Sequence, residues 1–128
     1  MNDSELKRAL HPYLREETLK VALSGYLAAG FRRTVLGVTD RRVLLVKSAY
    51  WSVRDRGLLW ADPLDEVALG GNATELCMSG AYTGNTYVRI RRADGSRFRL
   101  NPRTNFIGGS DGTRRSVEIL YSSVKGRF

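Results

Sequence analysis

The amino-acid sequence predicts a mainly β fold, with a short helix near its start and an amphipathic helix at its end. Three observations predict this fold. Two segments have hairpin patterns, short apolar runs alternate with turn residues, and a helical apolar period begins near residue 113. We expect about seven antiparallel strands that curl into a β-barrel or roll, with the C-terminal helix covering its open end or face.

The segment from Phe31 to Lys47 predicts a hairpin, because two apolar runs flank the polar residues Thr39–Arg42. A four-residue connection built on a type I turn fits this spacing, and we expect Asp40 to bond a backbone N–H two residues on. The register then pairs Val38 with Val43. Both faces of this hairpin are apolar, which predicts a central position in the sheet.

A second hairpin is predicted from Thr86 to Leu100, because apolar residues alternate there with polar ones. The register that pairs like with like sets Ile90 opposite Phe98. It leaves the three-residue loop Ala93–Gly95, in which Gly95 takes the left-handed conformation. The polar face of this hairpin then carries Tyr87, Arg89, Arg91, Arg97 and Arg99.

The remaining strands are predicted from shorter patterns. The segment from Thr18 to Ala28 fits a strand with a bulge at Gly25, although its apolar residues also fit a helical period. Two short extended pieces are expected at Leu58–Ala61 and Leu64–Leu69, separated by Asp62-Pro63, and a further strand at Ala73–Tyr82.

Both helices are predicted from their apolar spacing. Ser4 to His11 forms a short helix that ends near Pro12, and it must dock on the body because two turns are marginal alone. The C-terminal helix is expected over residues 113–128. Its apolar stripe consists of Val117, Leu120, Tyr121, Val124 and Phe128.

Length and composition indicate a single domain over residues 1–128, in which residues 1–13 are the leading helical segment. The chain has 128 residues, of which 42% are apolar and 27% charged, as in soluble globular proteins. No apolar run approaches the roughly 20 residues of a membrane span. The polar start and the single cysteine, Cys77, lead us to expect a cytoplasmic protein without a signal peptide or internal disulfide.

The charge of the chain is uneven along its length. The formal net charge is +8, and residues 85–103 carry six arginines against one acid, Asp94. Arginine presents a rigid fork that suits carboxylates and phosphates. The sequence therefore predicts an anion-facing surface on the second hairpin, formed by Arg89, Arg91, Arg97 and Arg99. The alternatives are that acids such as Glu75 neutralise these arginines, or that the arginines only form a solvated face.

Enzyme chemistry is not expected. His11 and Cys77 are the single histidine and cysteine, so a Cys-His or zinc-binding set is not supported. The acids Asp62, Asp65 and Glu66 are better explained by solvation or by pairing with arginines than by a cation. The glycine-rich piece Ile107–Thr113 matches neither nucleotide fingerprint. We predict no catalytic residue, metal or cofactor.

Three stretches resemble the bacterial pleckstrin-homology-like (PH-like) domain family over roughly Leu14 to Phe128. GVTDRRVLLV is similar to that family's strand-Thr-x-x-Arg-strand hairpin, and WADPLDEVAL is similar to the short piece that follows it. The third is the basic hairpin followed by a C-terminal helix. The resemblance implies a partly open barrel of two sheets plugged by the last helix, and mostly non-catalytic members.

The resemblance also implies an alternative site. Eukaryotic PH domains hold phosphoinositide headgroups with basic residues around their first hairpin, and the matching positions here are Lys20, Arg32 and Arg33. Binding does not transfer with a fold, so this remains an alternative. The loop aromatics Tyr50 and Trp51 are candidates for a membrane or partner interface, or for the core.

The favoured hypothesis is a non-catalytic cytoplasmic module whose basic hairpin binds an acidic protein partner or another copy of itself. The alternatives are peripheral binding of anionic lipid and non-specific binding of nucleic acid. Tyr87 is the single aromatic residue expected on the arginine surface, which gives nucleic-acid stacking little support.

Overall fold

The computed structural model describes residues 3–27, 33–48, 55–71, 87–102 and 110–128. Two 3₁₀ turns, His11–Tyr13 and Leu64–Glu66, join some of the helices and strands. In chain order, the helices and strands are α1 (Asp3–Leu10), β1 (Leu19–Leu27), β2 (Arg33–Thr39), β3 (Arg42–Ser48), β4 (Asp55–Pro63), β5 (Ala68–Gly70), β6 (Val88–Arg91), β7 (Arg97–Pro102), α2 (Ser110–Ser123) and β8 (Gly126–Arg127).

The eight strands form one sheet in the order β4-β3-β2-β1-β7-β6-β5-β8. All neighbours are antiparallel except β5 and β8, which are parallel. The mainly β class and the helix at each end are confirmed. Among the described strands, β4 and β8 do not pair with each other, so this sheet is open. The predicted strand at Ala73–Tyr82 lies outside the described residues.

The first predicted hairpin is confirmed as β2 and β3, with Val38 opposite Val43 and Leu36 opposite Leu45. Every residue of β2 is buried, as expected for a central strand. The turn differs from the prediction in one respect. The Oγ1 atom of Thr39, not the Asp40 carboxylate, accepts the backbone N–H groups that close it.

Each face of this hairpin packs against a different element. Leu36, Val38, Val43 and Leu45 join the main core, which also contains the apolar side of α2. Val35 and Val46 face the other way and pack under Leu6, Ala9 and Leu10 of α1. The short N-terminal helix therefore docks on the sheet, because it covers the second apolar face.

Strand β1 is confirmed as extended, but the bulge expected at Gly25 is wrong. The pairing with β2 shifts between Leu19 and Val21, which makes Lys20 the irregular position. Gly25 pairs regularly with Thr34 and instead allows close approach of β7. A Cβ atom built on Gly25 would lie 2.6 Å from the carbonyl oxygen of Asn101.

Gly25→Ala is expected to destabilise the chain by about 1–3 kcal/mol, because an added methyl group must push β1 away from β7. The clash is with backbone, which moves less readily than a side-chain end. Urea unfolding would measure the effect. Ser24→Ala, at the neighbouring buried position, is the matched control, and equal stability of Gly25→Ala and wild type would contradict the close approach.

The region after β3 forms two extended pieces, as predicted, but the first is longer and the second is shorter than expected. β4 runs from Asp55 to Pro63 and so ends two residues later than predicted, because Asp62 and Pro63 still pair with Val43 and Arg42. Proline is tolerated at such a position, since it lacks only a donor N–H. Leu64 then starts a 3₁₀ turn, and the second extended piece shortens to β5.

The second predicted hairpin is confirmed as β6 and β7. Ile90 lies opposite Phe98 and Val88 opposite Leu100, in the register that the alternation predicts. Gly95 has a φ of +88°, so the turn uses glycine where expected. The N–H of Arg92 donates to the carbonyl of Ser96 at 2.8 Å, which closes the loop.

The C-terminal helix is confirmed in part. α2 begins at Ser110 and ends at Ser123, and Val117, Leu120, Tyr121 and Val124 are buried in the core. The placement of Phe128 on this helix is wrong. After Ser123 the chain turns, and Gly126 and Arg127 extend beside Ala68 and Leu69 of β5.

Candidate functional site

The arginine face is the outer side of the β6–β7 hairpin, and it is defined here by Arg89, Arg91, Arg97 and Arg99. Arg89 pairs with Arg99 and Arg91 with Arg97, as the alternation predicts. Their apolar neighbours on both strands point into the core. Arg91 is half-buried, and the other three are exposed. The second hairpin thus presents a two-by-two array of guanidinium groups.

No ion pair links these four arginines to a carboxylate in the part of the chain that the structure describes. Like charges directly opposite one another destabilise an antiparallel pair, by roughly 0.2–1 kcal/mol. Two such pairs therefore have an unfavourable contribution to folding. Glu75, the acid expected to neutralise them, lies outside the described residues.

Two other arginines show how this fold does neutralise a guanidinium. Arg42 donates from Nε and Nη2 to the carboxylate of Glu17, and Nη2 also donates to the carbonyl of Tyr13 at 2.8 Å. The Glu17 side chain is only 1% exposed. The hydrogen bonds from Arg42 lower the pKa of Glu17 from 4.5 to about 2, against the opposing effect of burial.

The same carboxylate organises the turn between β2 and β3. Thr39 donates its hydroxyl proton to Glu17 at 2.7 Å and accepts from the N–H groups of Arg41 and Arg42. Asp40 accepts the N–H of Thr18 at 3.1 Å. The Thr-x-x-Arg motif therefore has a structural role, because its hydrogen bonds hold the segment before β1 against this turn.

Arg92 is the second neutralised arginine. Its Nε and Nη2 atoms donate to the two carboxylate oxygens of Asp62 at 3.0 and 3.2 Å, and the N–H of Ala93 donates to the same carboxylate. Its guanidinium also lies 4.8 Å from the ring of Trp60. Asp62 thus joins β4 to the β6–β7 turn, which fits the expected pairing of that acid with an arginine.

Two aromatic rings lie against the arginine face. The guanidinium carbons of Arg91 and Arg97 are each 5.2 Å from the centre of the Phe128 ring, and that of Arg89 is 5.8 Å away. Arg99 lies 5.0 Å from the ring of Tyr87. These distances are within the roughly 6 Å range of cation–π attraction. The expectation that Tyr87 is the single aromatic residue here is wrong.

Phe128 is the functional candidate that sequence reasoning missed. Its spacing from Val124 fits the helical stripe, so the pattern alone favours the core. The signal for another position is Gly126, since glycine commonly follows the end of a helix. Arg127 also stabilises this helix end, because it donates to the carbonyl of Tyr121 in α2 and to that of Val124, just beyond α2, over 2.6 Å each.

The residues of the lipid alternative are not brought together. Lys20 is exposed near the start of β1, and Arg33 pairs with Tyr26 near the other end of that strand. Six residues of strand separate these positions by about 20 Å. Arg33 is only 8% exposed, and burial lowers its pKa. Arg32 and the loop aromatics Tyr50 and Trp51 lie outside the described residues.

The residues considered for enzyme chemistry form no described constellation. His11 is exposed in the first 3₁₀ turn, and Cys77 lies outside the described residues. In the described ranges, no three His, Cys, Asp or Glu side chains are grouped as a metal site. The glycine-rich piece is described only from Ser110, where α2 begins.

A scan of family models, a search of curated proteins and a search of solved structures each return no match for this chain. Neither helix in the described part of the chain is long and apolar enough to cross a bilayer.

Proposed function

We propose that this chain is a non-catalytic interaction module whose arginine face binds an acidic segment of a protein partner. That partner is either another protein or a second copy of this chain. One observation carries the proposal. Four guanidinium groups lie together on one sheet face, and none pairs with a described carboxylate. By contrast, Arg42 and Arg92 each have a carboxylate partner. Within the described residues the arginine face has no such partner, and an acidic segment of another molecule would supply one.

The spacing of the face suits an extended acidic peptide. Residues two apart on one strand project side chains about 6.6–6.8 Å apart, and adjacent strands lie about 4.8 Å apart. Alternate carboxylates of an extended peptide have the same spacing. Each guanidinium can donate two parallel N–H hydrogen bonds to one carboxylate, which suits the side chains of aspartate and glutamate.

We also propose that this chain has a PH-like fold and works in the cytoplasm. The support is the order of elements, with successive antiparallel hairpins followed by a helix packed on the sheet. The contact of Asp62 on β4 with the β6–β7 turn supports a strongly curled sheet. This part of the proposal rests on the resemblance to PH-like domains, and a shared fold does not identify a ligand.

The double variant Arg89→Glu/Arg97→Glu is expected to weaken binding of a fluorescent polyglutamate peptide by about tenfold or more at about 0.1 M salt. Each change reverses a charge on the face. The fold should tolerate both changes, because they convert Arg-Arg pairs into oppositely charged pairs across the strands. Fluorescence anisotropy measures the affinity, and thermal unfolding checks the fold.

The matched control is Arg8→Glu/Arg41→Glu, which changes the net charge equally at two exposed arginines away from the face. Equal loss of binding in both double variants would contradict a specific face. So would a wild-type protein that does not bind the peptide. Wild-type binding to anionic but not neutral vesicles, without peptide binding, would favour the lipid alternative. Analytical ultracentrifugation of the same variants tests self-association.

Single-stranded nucleic acid is the second candidate, and the two rings on the arginine face favour it. Bases stack on aromatic side chains beside cationic residues, and Tyr87 and Phe128 provide such neighbours. Both rings are already covered by guanidinium groups, which ranks this candidate second. A labelled single-stranded oligonucleotide, measured beside the peptide, distinguishes the two. Tighter binding of the oligonucleotide than of the peptide, lost in Arg89→Glu/Arg97→Glu, would reverse the ranking.

A further inference from the structure

We propose that Phe128 is an internal occupant of an aromatic subsite on the arginine face, and that an acidic peptide with an aromatic side chain displaces it. This inference rests on the proposed function and names the chemistry of the partner. The subsite consists of Arg89, Arg91 and Arg97 around one ring. A ligand that supplies both a ring and carboxylates would satisfy the same three guanidinium groups more completely.

The position of the ring supports this inference. Arg91 and Arg97 lie opposite each other on β6 and β7, and both approach the Phe128 ring at 5.2 Å. A phenyl ring offers a guanidinium its electron-rich face but no formal negative charge. The ring therefore contacts three like charges without adding a carboxylate, and none of the three forms an ion pair among the described residues.

The segment that carries the ring is short. β8 has two residues, Gly126 and Arg127, which pair with β5. Beyond it, the N–H of Phe128 donates to the carbonyl of Leu69 over 3.3 Å, near the long limit for such a bond. A strand of two residues with so few backbone bonds opens locally at little free-energy cost. Release of one ring is therefore compatible with an intact sheet.

Arg127 determines which part of the chain must move when the Phe128 ring leaves the arginine face. Its side chain donates to the carbonyls of Tyr121, Val124 and Gly126, so it fastens the chain to the end of α2. Phe128 follows this attachment by one residue. The ring can leave the arginine face while Arg127 continues to cap the helix, and the exchange then needs no rearrangement of the core.

The test uses two short polyglutamate peptides of equal length, one with a central phenylalanine and one with alanine in its place. Phe128→Ala is expected to bind the phenylalanine peptide about five- to tenfold more tightly than wild type does, because the internal competitor is removed. Affinity for the alanine peptide should stay within about twofold. Anisotropy titrations of both proteins with both peptides give the four affinities.

Gly126→Ala provides a second variant that keeps the ring. A Cβ atom at Gly126 would lie 2.7 Å from the carbonyl oxygen of Val67, so the substitution should push β8 away from β5. Like Phe128→Ala, this variant is expected to bind the phenylalanine peptide more tightly than wild type does. Ser122→Ala, at an exposed position of α2, is the control and should bind as wild type does.

Displacement has a direct readout in the wild-type protein. Saturation with the phenylalanine peptide should speed hydrogen exchange at the Phe128 amide, and the alanine peptide should not. Arginine-dependent binding of both peptides, without selective gain in Phe128→Ala, would overturn this inference and leave the proposed function standing. Binding that survives Arg89→Glu/Arg97→Glu, or no binding of either peptide, would instead overturn the proposed function and this inference together.

Discussion

Acidification from about pH 7 to about pH 3 is expected to remove about 2 kcal/mol of stability through Glu17 alone. Its pKa falls from 4.5 to about 2 in the folded chain, which corresponds to about 3 kcal/mol of stabilisation at neutral pH. The folded pKa lies below the unfolded one. The contribution is therefore complete above about pH 5 and is lost as the pH falls toward about 2. Urea unfolding at several pH values measures this loss.

Glu17→Gln isolates this contribution, because it keeps the size of the side chain and removes its charge. At neutral pH the variant is expected to be less stable than wild type by about 3 kcal/mol, since Arg42 loses its carboxylate within a largely buried contact. The difference should shrink to about 1 kcal/mol near pH 3. A difference that stays constant with pH would show that Glu17 titrates normally in the folded chain.

The registers of both hairpins were predictable from local patterns. A side-chain period of two and a turn of fixed length leave one register that keeps apolar residues on one face. That reasoning gives Val38 opposite Val43 and Ile90 opposite Phe98, and the structure confirms both. It also gives the arginine face, because the polar positions of the second hairpin alternate with its apolar ones.

Long-range contacts were less predictable, because they join segments whose patterns are independent of each other. The apolar spacing of α1 shows that it must dock, and the first hairpin shows a second apolar face. Only the structure brings Leu10 of α1 over Gly37 of that hairpin, where an added Cβ atom would lie 2.7 Å from Leu10 Cδ1. The hydrogen bonds from Arg42 to Glu17 also join segments 25 residues apart, so local patterns did not predict them either.

The arginine face likewise combines locally predictable features with a long-range contact that the sequence pattern did not predict. Its four members follow from a local alternation, but its aromatic neighbour comes from the end of the chain. Phe128 fits two patterns at once, a helical stripe and an extended tail. Val124 lies four residues before it in sequence and is buried as predicted. The helix ends at Ser123, and pairing of Gly126 with Ala68 then decides where the ring lies.

Leu120→Ala is expected to lower the free energy of unfolding by about 2–5 kcal/mol, because it leaves a cavity where α2 packs on the sheet. Leu120 is only 1% exposed and belongs to the main core. Neighbouring Tyr121 fixes the helix nearby, since its hydroxyl donates to the carbonyl of Gly70 on β5 at 2.7 Å. That bond limits how far the helix can move to fill the cavity. Urea unfolding at neutral pH measures the loss.

Ile119→Ala is the matched control, because it removes a side chain of similar size from the adjacent position of α2. Ile119 is only partly buried against the core, so its truncation should cost less than that of Leu120. The order of the two variants is the sharper test, since it depends on which side of the helix faces the sheet. Equal losses, or a Leu120→Ala protein as stable as wild type, would contradict the packing of α2. Either result would also remove the basis for placing Arg127 and Phe128 beside β5, because the end of α2 positions both residues.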